Sequence, residues 1–304
     1  MYKITFECEV ITPMFLAGAD GKTPELRAPS IKGALRFWWR AMNGHLPIDV
    51  LRKKEAEIFG GSGENEGKSK FNIRISHGNI ESDGYQPLPH HDNSDFCNKN
   101  KCKRNKYGNC YKTFKLSAIQ PEANFTVEFC LHNRTNIIAK EKLKNLFILT
   151  SILGSLGKRS RRGFGNFKIN QIDNTEFNES INLDYIKDLL NSVNIDNNNH
   201  FQVNKNEIKS NFNLNHFPYV KEIKFGKASS NYNELLKKIG EASHFNDSDY
   251  TGFAKGSNRF ASPVYVSVME NGSDYVPVVT ILETVSNNFT GKDKSKDFIR
   301  EVLS

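Results

Sequence analysis

The chain has 304 residues, 38% of them hydrophobic, and 42 Lys and Arg against 34 Asp and Glu give it a net charge of +8. That length can bury a sizeable core in one large domain or two modest ones, and it holds no run of roughly 18 apolar residues such as a membrane span needs. Residues 1–7 lack the apolar stretch of a signal peptide, so the expectation is a cytoplasmic protein with no membrane partner.

The charge is local. Seven basic and no acidic residues lie in 97–115, and five basic and no acidic ones in 157–168. Together they exceed the net charge, so the remainder is neutral to slightly acidic, and the positive field is confined, as a surface for an anionic partner would be. The five cysteines, in a reducing compartment, argue against a disulfide framework.

Tyr2, Ile4, Phe6, Cys8 and Val10 alternate with Lys3, Thr5, Glu7 and Glu9, the pattern of a half-buried strand. Thr12-Pro13 breaks it, and a loop with Gly18, Gly21 and Pro24 follows. Ser30 is the expected N-cap of a helix whose apolar positions are Ile31, Ala34, Leu35, Trp38 and Met42, with Lys32, Arg36 and Arg40 on another face. A second helix covers 50–59 and stops at Gly60-Gly61, and Phe71, Ile73 and Ile75 mark the next strand. Residues 77–113 are polar, irregular and cysteine-bearing, an insertion. A strand at 125–131, a helix at 140–156 and a strand at 167–172 complete two strand–helix–strand units, the order of a ferredoxin-like (RRM-like) α+β sheet.

Fourteen asparagines crowd 170–215, which reads as exposed, poorly packed structure around a short helix at 183–193. Beyond it the pattern predicts strands near 220–225, 263–269 and 275–282 and helices at 232–241 and 293–303. The expected organisation is an N-terminal domain over 1–170 carrying the insertion 77–113, a connecting region over 171–216, and a C-terminal ferredoxin-like subdomain over 217–304 that could be a degenerate copy of the first.

Three constellations could carry chemistry. The loop Gly157-Lys158-Arg159-Ser160-Arg161-Arg162-Gly163-Phe164-Gly165 frames four cations with glycines, which let backbone N–H groups approach a phosphate while arginines supply forked donors. A glycine cap followed by a solvated basic turn is the alternative. Phe164 could stack on a base or anchor the loop. In Arg36-Phe37-Trp38-Trp39-Arg40, Trp38 is a core residue, whereas Trp39 lies nearer the cations and is the better candidate for contact; an ordinary solvated face explains the pattern equally well. In the insertion, Cys97, Cys102 and Cys110 with His91 form a candidate structural Zn2+ site, His77 being a remote alternative to His91 and unpaired surface thiols the alternative to a metal. Cys8 and Cys130 fall within strands and pack.

Catalytic signals are sparse. His45 could be a general base or merely a helix C-terminal partner, and Asp20 could position a metal or a nucleophile or simply form a turn.

Five segments carry a family resemblance. They are Thr12-Pro13-Met14-Phe15-Leu16 with Gly18-Ala19; the run from Glu25-Leu26-Arg27-Ala28-Pro29 through Trp38-Trp39-Arg40; Ile58-Phe59-Gly60-Gly61; the loop 157–165; and Arg259-Phe260-Ala261-Ser262-Pro263. Together they make the chain resemble the RAMP superfamily of CRISPR-associated proteins, and within it the family of first subunits of type III-B (Cmr) effector complexes. The resemblance implies a modified, often duplicated ferredoxin-like fold that works beside other Cmr subunits in antiviral defence. It also implies binding of the 3′ region of guide RNA and capture of target RNA. By motif matching, Lys32, Arg36, Trp39, Arg40, Lys158, Arg159, Arg161 and Arg162 become the expected RNA contacts, with Phe164 beside them. Related backbone subunits cut target RNA with an aspartate in the loop after the first strand, which points to Asp20. The subunit this chain looks like is not usually regarded as the slicer, so the expectation is a non-catalytic RNA-binding subunit. The alternative is a RAMP-type endoribonuclease acting on guide precursor or target RNA.

Overall fold

Alternation at the N-terminus places Ile4, Phe6, Cys8 and Val10 inside, each at most 1% exposed, while Lys3 and Glu7 face solvent. The computed structural model describes residues 2–64, 66–78, 80–91, 95–131, 137–196, 198–212, 218–255, 258–284, 289 and 291–304.

The strand is β1 (Tyr2–Val10). The first helix, α1 (Ala28–Met42), begins ahead of the expected Ser30 cap: Arg27 holds the N-cap position without a side-chain bond, and Pro29, with its fixed φ, sits in the first turn. Helix α2 (Ile48–Phe59) ends at Gly60, whose φ of 78° and close approach to Ser69 N, 2.7 Å from where a Cβ would stand, admit only glycine. Next come β2 (Phe71–His77), β3 (Ser82–Tyr85), α3 (Asp95–Lys99), β4 (Leu116–Ile119), β5 (Asn124–Leu131), α4 (Ile137–Leu153), β6 (Phe167–Ile172) and β7 (Thr175–Glu176).

The first sheet runs β2-β5-β1-β6-β7, every neighbouring pair antiparallel. Both crossovers skip one strand, which is the ferredoxin-like arrangement. Its core is aromatic: Phe6 lies 5.6 Å from Phe129 and 4.6 Å from Phe147, and Phe147 5.7 Å from Phe167. Burying each such ring contributes about 2–3 kcal/mol. Strands β3 and β4 pair with each other and bracket the cysteine segment, so the insertion rises on its own two-stranded stem, anchored where Ile119 is buried and bonded to Met14.

The asparagine-rich stretch differs from its expected character. It contains α5 (Leu183–Val193), β8 (Phe201–Asn204) and β9 (Glu207–Ser210), with Ile186, Leu190 and Ile208 fully buried. The asparagines here cap and bridge. The Asn182 side chain accepts from Tyr185 N at 2.9 Å, and Asn191 both donates to Phe201 O and accepts from Phe201 N, each at 3.0 Å. Residues 213–217 lie outside the described residues.

The chain continues through β10 (Val220–Phe225), α6 (Tyr232–Phe245), β11 (Phe253–Lys255), β12 (Asn258–Phe260), β13 (Val264–Asn271), β14 (Asp274–Leu282) and α7 (Ser295–Leu303). The second sheet is β13-β14-β10-β9-β8. Its first three strands repeat the ferredoxin-like order, with α6 crossing from β10 to β13. The fourth place, beside β10, is taken by β9, which precedes β10 in the chain. The second copy is therefore permuted, and residues 201–210 belong to its sheet, not to a connecting region. Helix α4 touches β6, β13 and β14, and one core cluster includes both Ile4 and Val278, so the two sheets share an interior.

Candidate functional site

The loop 157–165 is held from both sides by its backbone. Lys158 N donates to Phe15 O at 2.9 Å, Gly165 N to Pro13 O at 3.0 Å and Gly163 N to Val266 O at 2.8 Å. Gly157, Gly163 and Gly165 have φ of 90°, 78° and 73°, and a Cβ on Gly165 would sit 1.9 Å from Leu156 O. The glycines thus serve close chain packing, Gly157 against Phe15, Gly165 against Leu156 and Gly163 against Leu236, Ile239 and Val268 of the second half.

The arginines turn inward. Arg162 donates from Nε to Ser243 Oγ at 3.0 Å, from Nη1 to Arg161 O at 2.8 Å and Val264 O at 3.1 Å, and from Nη2 to Thr251 O at 2.6 Å. Its guanidinium lies 5.0 Å from the Phe298 ring centroid. Burial, with Arg159 and Arg161 nearby, brings its pKa down to about 9. Arg161 donates to Ser262 O and sits 5.5 Å from the Phe37 ring and 5.3 Å from Tyr265. Arg159 lies 5.7 Å from Phe164, its pKa lowered to about 10 by burial. Phe164 is 1% exposed, 5.2 Å from Phe15 and 6.0 Å from Tyr85. It anchors the loop, and no ring face is open to a base. Where a phosphate cradle was expected, Arg161 and Arg162 donate to protein groups and Arg159 packs over the Phe164 ring. Lys158 alone is exposed, and with the exposed Lys22 and Lys115 it lines a cavity of about 170 Å³.

On α1, Trp39 is 3% exposed and packs 6.2 Å from Phe59, so it is a core residue like Trp38 and offers no stacking surface. Its helix is buried on a wider arc than the sequence pattern suggested, because α2 and α4 both pack on it. Arg36 Nε and Arg40 Nη1 each lie 2.5 Å from Oε1 of Glu55, itself 6% exposed, so two cations share one carboxylate and tie α1 to α2. Their side chains stay 39% and 29% exposed. Lys32 Nζ lies 5.8 Å from the Phe71 ring, and burial, then Arg36, lowers its pKa.

The cysteine insertion assembles a site. His91 ends the 3-10 turn Pro89–His91, Cys97 lies on α3, and Cys110 closes a hairpin opposite Arg104. His91 Nδ1 stands 3.6 Å from Cys97 Sγ, 3.6 Å from Cys102 Sγ and 3.5 Å from Cys110 Sγ. With Zn–S near 2.3 Å and Zn–N near 2.0 Å, two ligands of one tetrahedral ion stand about 3.5 Å apart. The donor atoms of all four residues lie within 4.8 Å of one another, so they could hold a metal ion. Burial pushes the Cys97 thiol up to about 12, its hydrogen-bonded neighbours Cys110 and Cys102 adding to this, and burial with Lys112 keeps His91 neutral, at about 4. Three crowded thiols and a neutral imidazole are a donor set in want of a cation. His77 stands apart at the end of β2, its Nδ1 2.8 Å from Gly78 O. His90, 3% exposed, packs on α6 where Gly240 has no Cβ to block it, the near atom 2.3 Å from that position.

Asp20 closes a turn: its carboxylate accepts from Lys22 N at 2.9 Å, Thr23 N at 3.0 Å and Thr23 Oγ1 at 2.5 Å, and the Thr23 hydroxyl leads in lowering its pKa. His45 joins a group the sequence reading did not find. Its Nε2 lies 3.2 Å from Asp196 Oδ2, to which His200 Nε2 also reaches at 2.6 Å, and its ring stacks 4.8 Å from Phe212. The spacing of Asp196 and His200, four apart within the asparagine run, was the available signal.

Comparison with known proteins agrees with this architecture. A curated relative from Pyrococcus furiosus, the CRISPR system Cmr subunit Cmr1-2, is 38% identical over 88 residues, 26% of this chain and 46% of that protein. Cmr1-1 of the same organism is 29% identical over 213 residues, 64% of this chain and 57% of that protein. The matched segments thus span about half the length of these relatives. Among solved structures, apo Cmr1 from Pyrococcus furiosus superposes with a TM-score of 0.61 at 19% identity, covering 99% of this chain and 96% of that one. A chain of the type III-B Cmr-beta complex bound to cognate target RNA gives 0.57 at 12% identity, covering 99% and 98%. Both likenesses speak to the fold. No helix among the described residues is long and apolar enough to cross a membrane. The family model of the RAMP superfamily matches residues 7–168, a stretch that runs from within β1 to within β6 and holds the cluster of His91, Cys97, Cys102 and Cys110 and the loop 157–165, and the chain belongs to that superfamily.

Proposed function

We propose that this chain is a non-catalytic RNA-binding subunit of a type III-B RNA-guided effector complex, contacting the 3′ region of guide RNA and helping capture target RNA beside other Cmr subunits. The observation that carries the reading is that both curated relatives are Cmr subunits; the full-length fold likeness to a chain of a target-RNA-bound Cmr complex supports it. The exposed cations Lys158, Lys22 and Lys115, with the partly exposed side chain of Arg36, are the groups suited to phosphate. Asp20 and His45 are both engaged within the protein, which favours holding over cutting. The ion of the insertion is zinc, in a structural role.

Titration of labelled RNA at increasing salt tests the binding. Affinity should fall steeply, and Lys22→Ala/Lys115→Ala/Lys158→Ala should reduce the log–log slope by about 2, at about 0.7 per single-strand phosphate contact. A salt-independent affinity would sink the reading. End-labelled RNA incubated with and without magnesium should stay intact; discrete cuts lost on Asp20→Ala or His45→Ala would make the protein an endoribonuclease. Metal analysis should find about one zinc per chain.

A further inference from the structure

The segment between Cys97 and Lys115 has features that a purely structural metal site does not require. Cys102 and Cys110 flank a tight hairpin: Asn105 N donates to Asn109 O at 2.7 Å, Tyr111 N to Lys103 O at 2.8 Å, and Gly108 has a φ of 79°. The Asn105 side chain accepts from Tyr107 N at 2.9 Å and Asn109 N at 3.1 Å, and Arg104 Nη1 donates to Gly108 O at 2.7 Å. This fixed hairpin holds its rings outward. Tyr107 is 75% exposed, Tyr111 77% and Phe114 46%, and they are three of the seven large exposed hydrophobic side chains among the described residues. All seven basic side chains of the segment are exposed around them, with no acidic residue between Cys97 and Lys115. Lys106 Nζ lies 5.0 Å from the Tyr107 ring. Lys115, next to Phe114, belongs to the cavity shared with Lys22 and Lys158, so the segment adjoins the exposed cations of the loop 157–165.

Exposed aromatic rings cost free energy in water, and they are tolerated where a partner covers them. Rings interleaved with cations fit single-stranded nucleic acid, whose bases stack while its phosphates are neutralised; duplex hides its bases and offers only charge. Because the hairpin is already fixed by its turn and by the ligand cluster, little ordering entropy is lost on binding.

We propose that the metal-ordered hairpin binds single-stranded RNA, with bases stacked on Tyr107 and Tyr111 and phosphates on the surrounding lysines. This rests on the RNA-binding reading above and adds a second, base-stacking contact region to it.

The test uses the full chain, a labelled 12-nucleotide uridylate strand and a duplex RNA of equal length. Tyr107→Ala/Tyr111→Ala should weaken single-strand binding by about 30-fold or more and leave duplex binding within about twofold, as loss of two stacked bases requires. Tyr107→Phe/Tyr111→Phe should restore it. Chelation of the metal should lower single-strand binding at least as far as the alanine variant. Wild-type binding that the alanine variant retains in full overturns the inference and leaves the proposed function standing. A wild-type chain that binds no RNA overturns both. Displacement of the strand by polyglutamate, with polyglutamate binding lost in the alanine variant, overturns it in favour of an acidic protein partner.

Discussion

The two basic stretches, 97–115 and 157–165, look alike as sequence and differ as structure. In the loop, the chain lies between the Thr12–Leu16 segment and β13, so Arg161 and Arg162 find carbonyls, a hydroxyl and rings of the second unit and are taken inside, while Arg159 folds over Phe164 of the loop itself. In the insertion, the segment is carried on the stem of β3 and β4, and the cations stay in water. A run of charge predicts a positive surface only where no neighbouring element can supply acceptors. Arginine, with five donors and a flat face, is the cation most readily withdrawn by such a neighbour, and lysine the one left outside.

Breaking the insertion should have the largest effect. Structural zinc supplies about 10 kcal/mol or more of folding free energy in small modules, so stripping the metal should open trypsin sites within 97–115 while the enclosed arginine sites of the loop 157–165 stay uncut. Equal protection of the insertion before and after chelation would remove the metal from its architecture. Next, Arg162→Ala should cost about 4 kcal/mol in urea unfolding, since the Thr251 and Val264 carbonyls lose charge-assisted partners inside the protein. Lys158→Ala should change stability by less than about 0.5 kcal/mol. Similar values for the two would collapse the contrast between inward and outward cations. Glycines sharpen the same comparison: Gly165→Ala should cost about 3 kcal/mol, through strain and collision with Leu156 O, whereas Gly108→Ala, also at positive φ but with open space around it, should cost about 1 kcal/mol.

A modest, pH-dependent effect concerns a half-exposed charge. Asp196 has its pKa held at about 2, because the hydrogen bonds from His200 and Asn198 outweigh burial, which pushes the other way. Its folded-state value is below the ordinary 3.8, so its contribution is full above about pH 4 and is lost as pH falls through 2. After allowance for solvent screening, Asp196→Asn should cost about 1 kcal/mol at neutral pH and nothing near pH 2. An equal loss at both would assign the effect to hydrogen-bond geometry and not to charge.

Much of the fold was legible. Period-two alternation located β1, β2 and β5 to within two residues, and the helix at 183–193 was found at its observed limits. The hairpin of β8 and β9 was not, because Phe201, Val203 and Ile208 are too few to show alternation among asparagines, and its turn at Lys205, with φ of 56°, leaves no glycine to mark it. The four metal-cluster residues were legible as chemistry, since thiol and imidazole in a polar segment have few other uses there. The burial of Trp39 was not, because α4 closes over α1 from about a hundred residues on, nor was that of Arg161 and Arg162, which depends on β13, α6 and α7, elements distant along the chain. Exposure of Tyr107 and Tyr111 is likewise a property of the stem and not of local pattern.

The permutation of the second sheet has a kinetic side. In the first sheet the central strand β1 pairs with β6, some 160 residues away, so the pairing waits on closure of almost the whole unit. In the second, the central strand β10 pairs with β9 across a short connection, and β9 with β8 through a tight turn. Moving one strand from the end of the motif to its beginning turns a long-range closure into a local one. A polypeptide emerging from the ribosome would thus have three neighbouring strands zipped together before α6 is made, a template for the rest of that half.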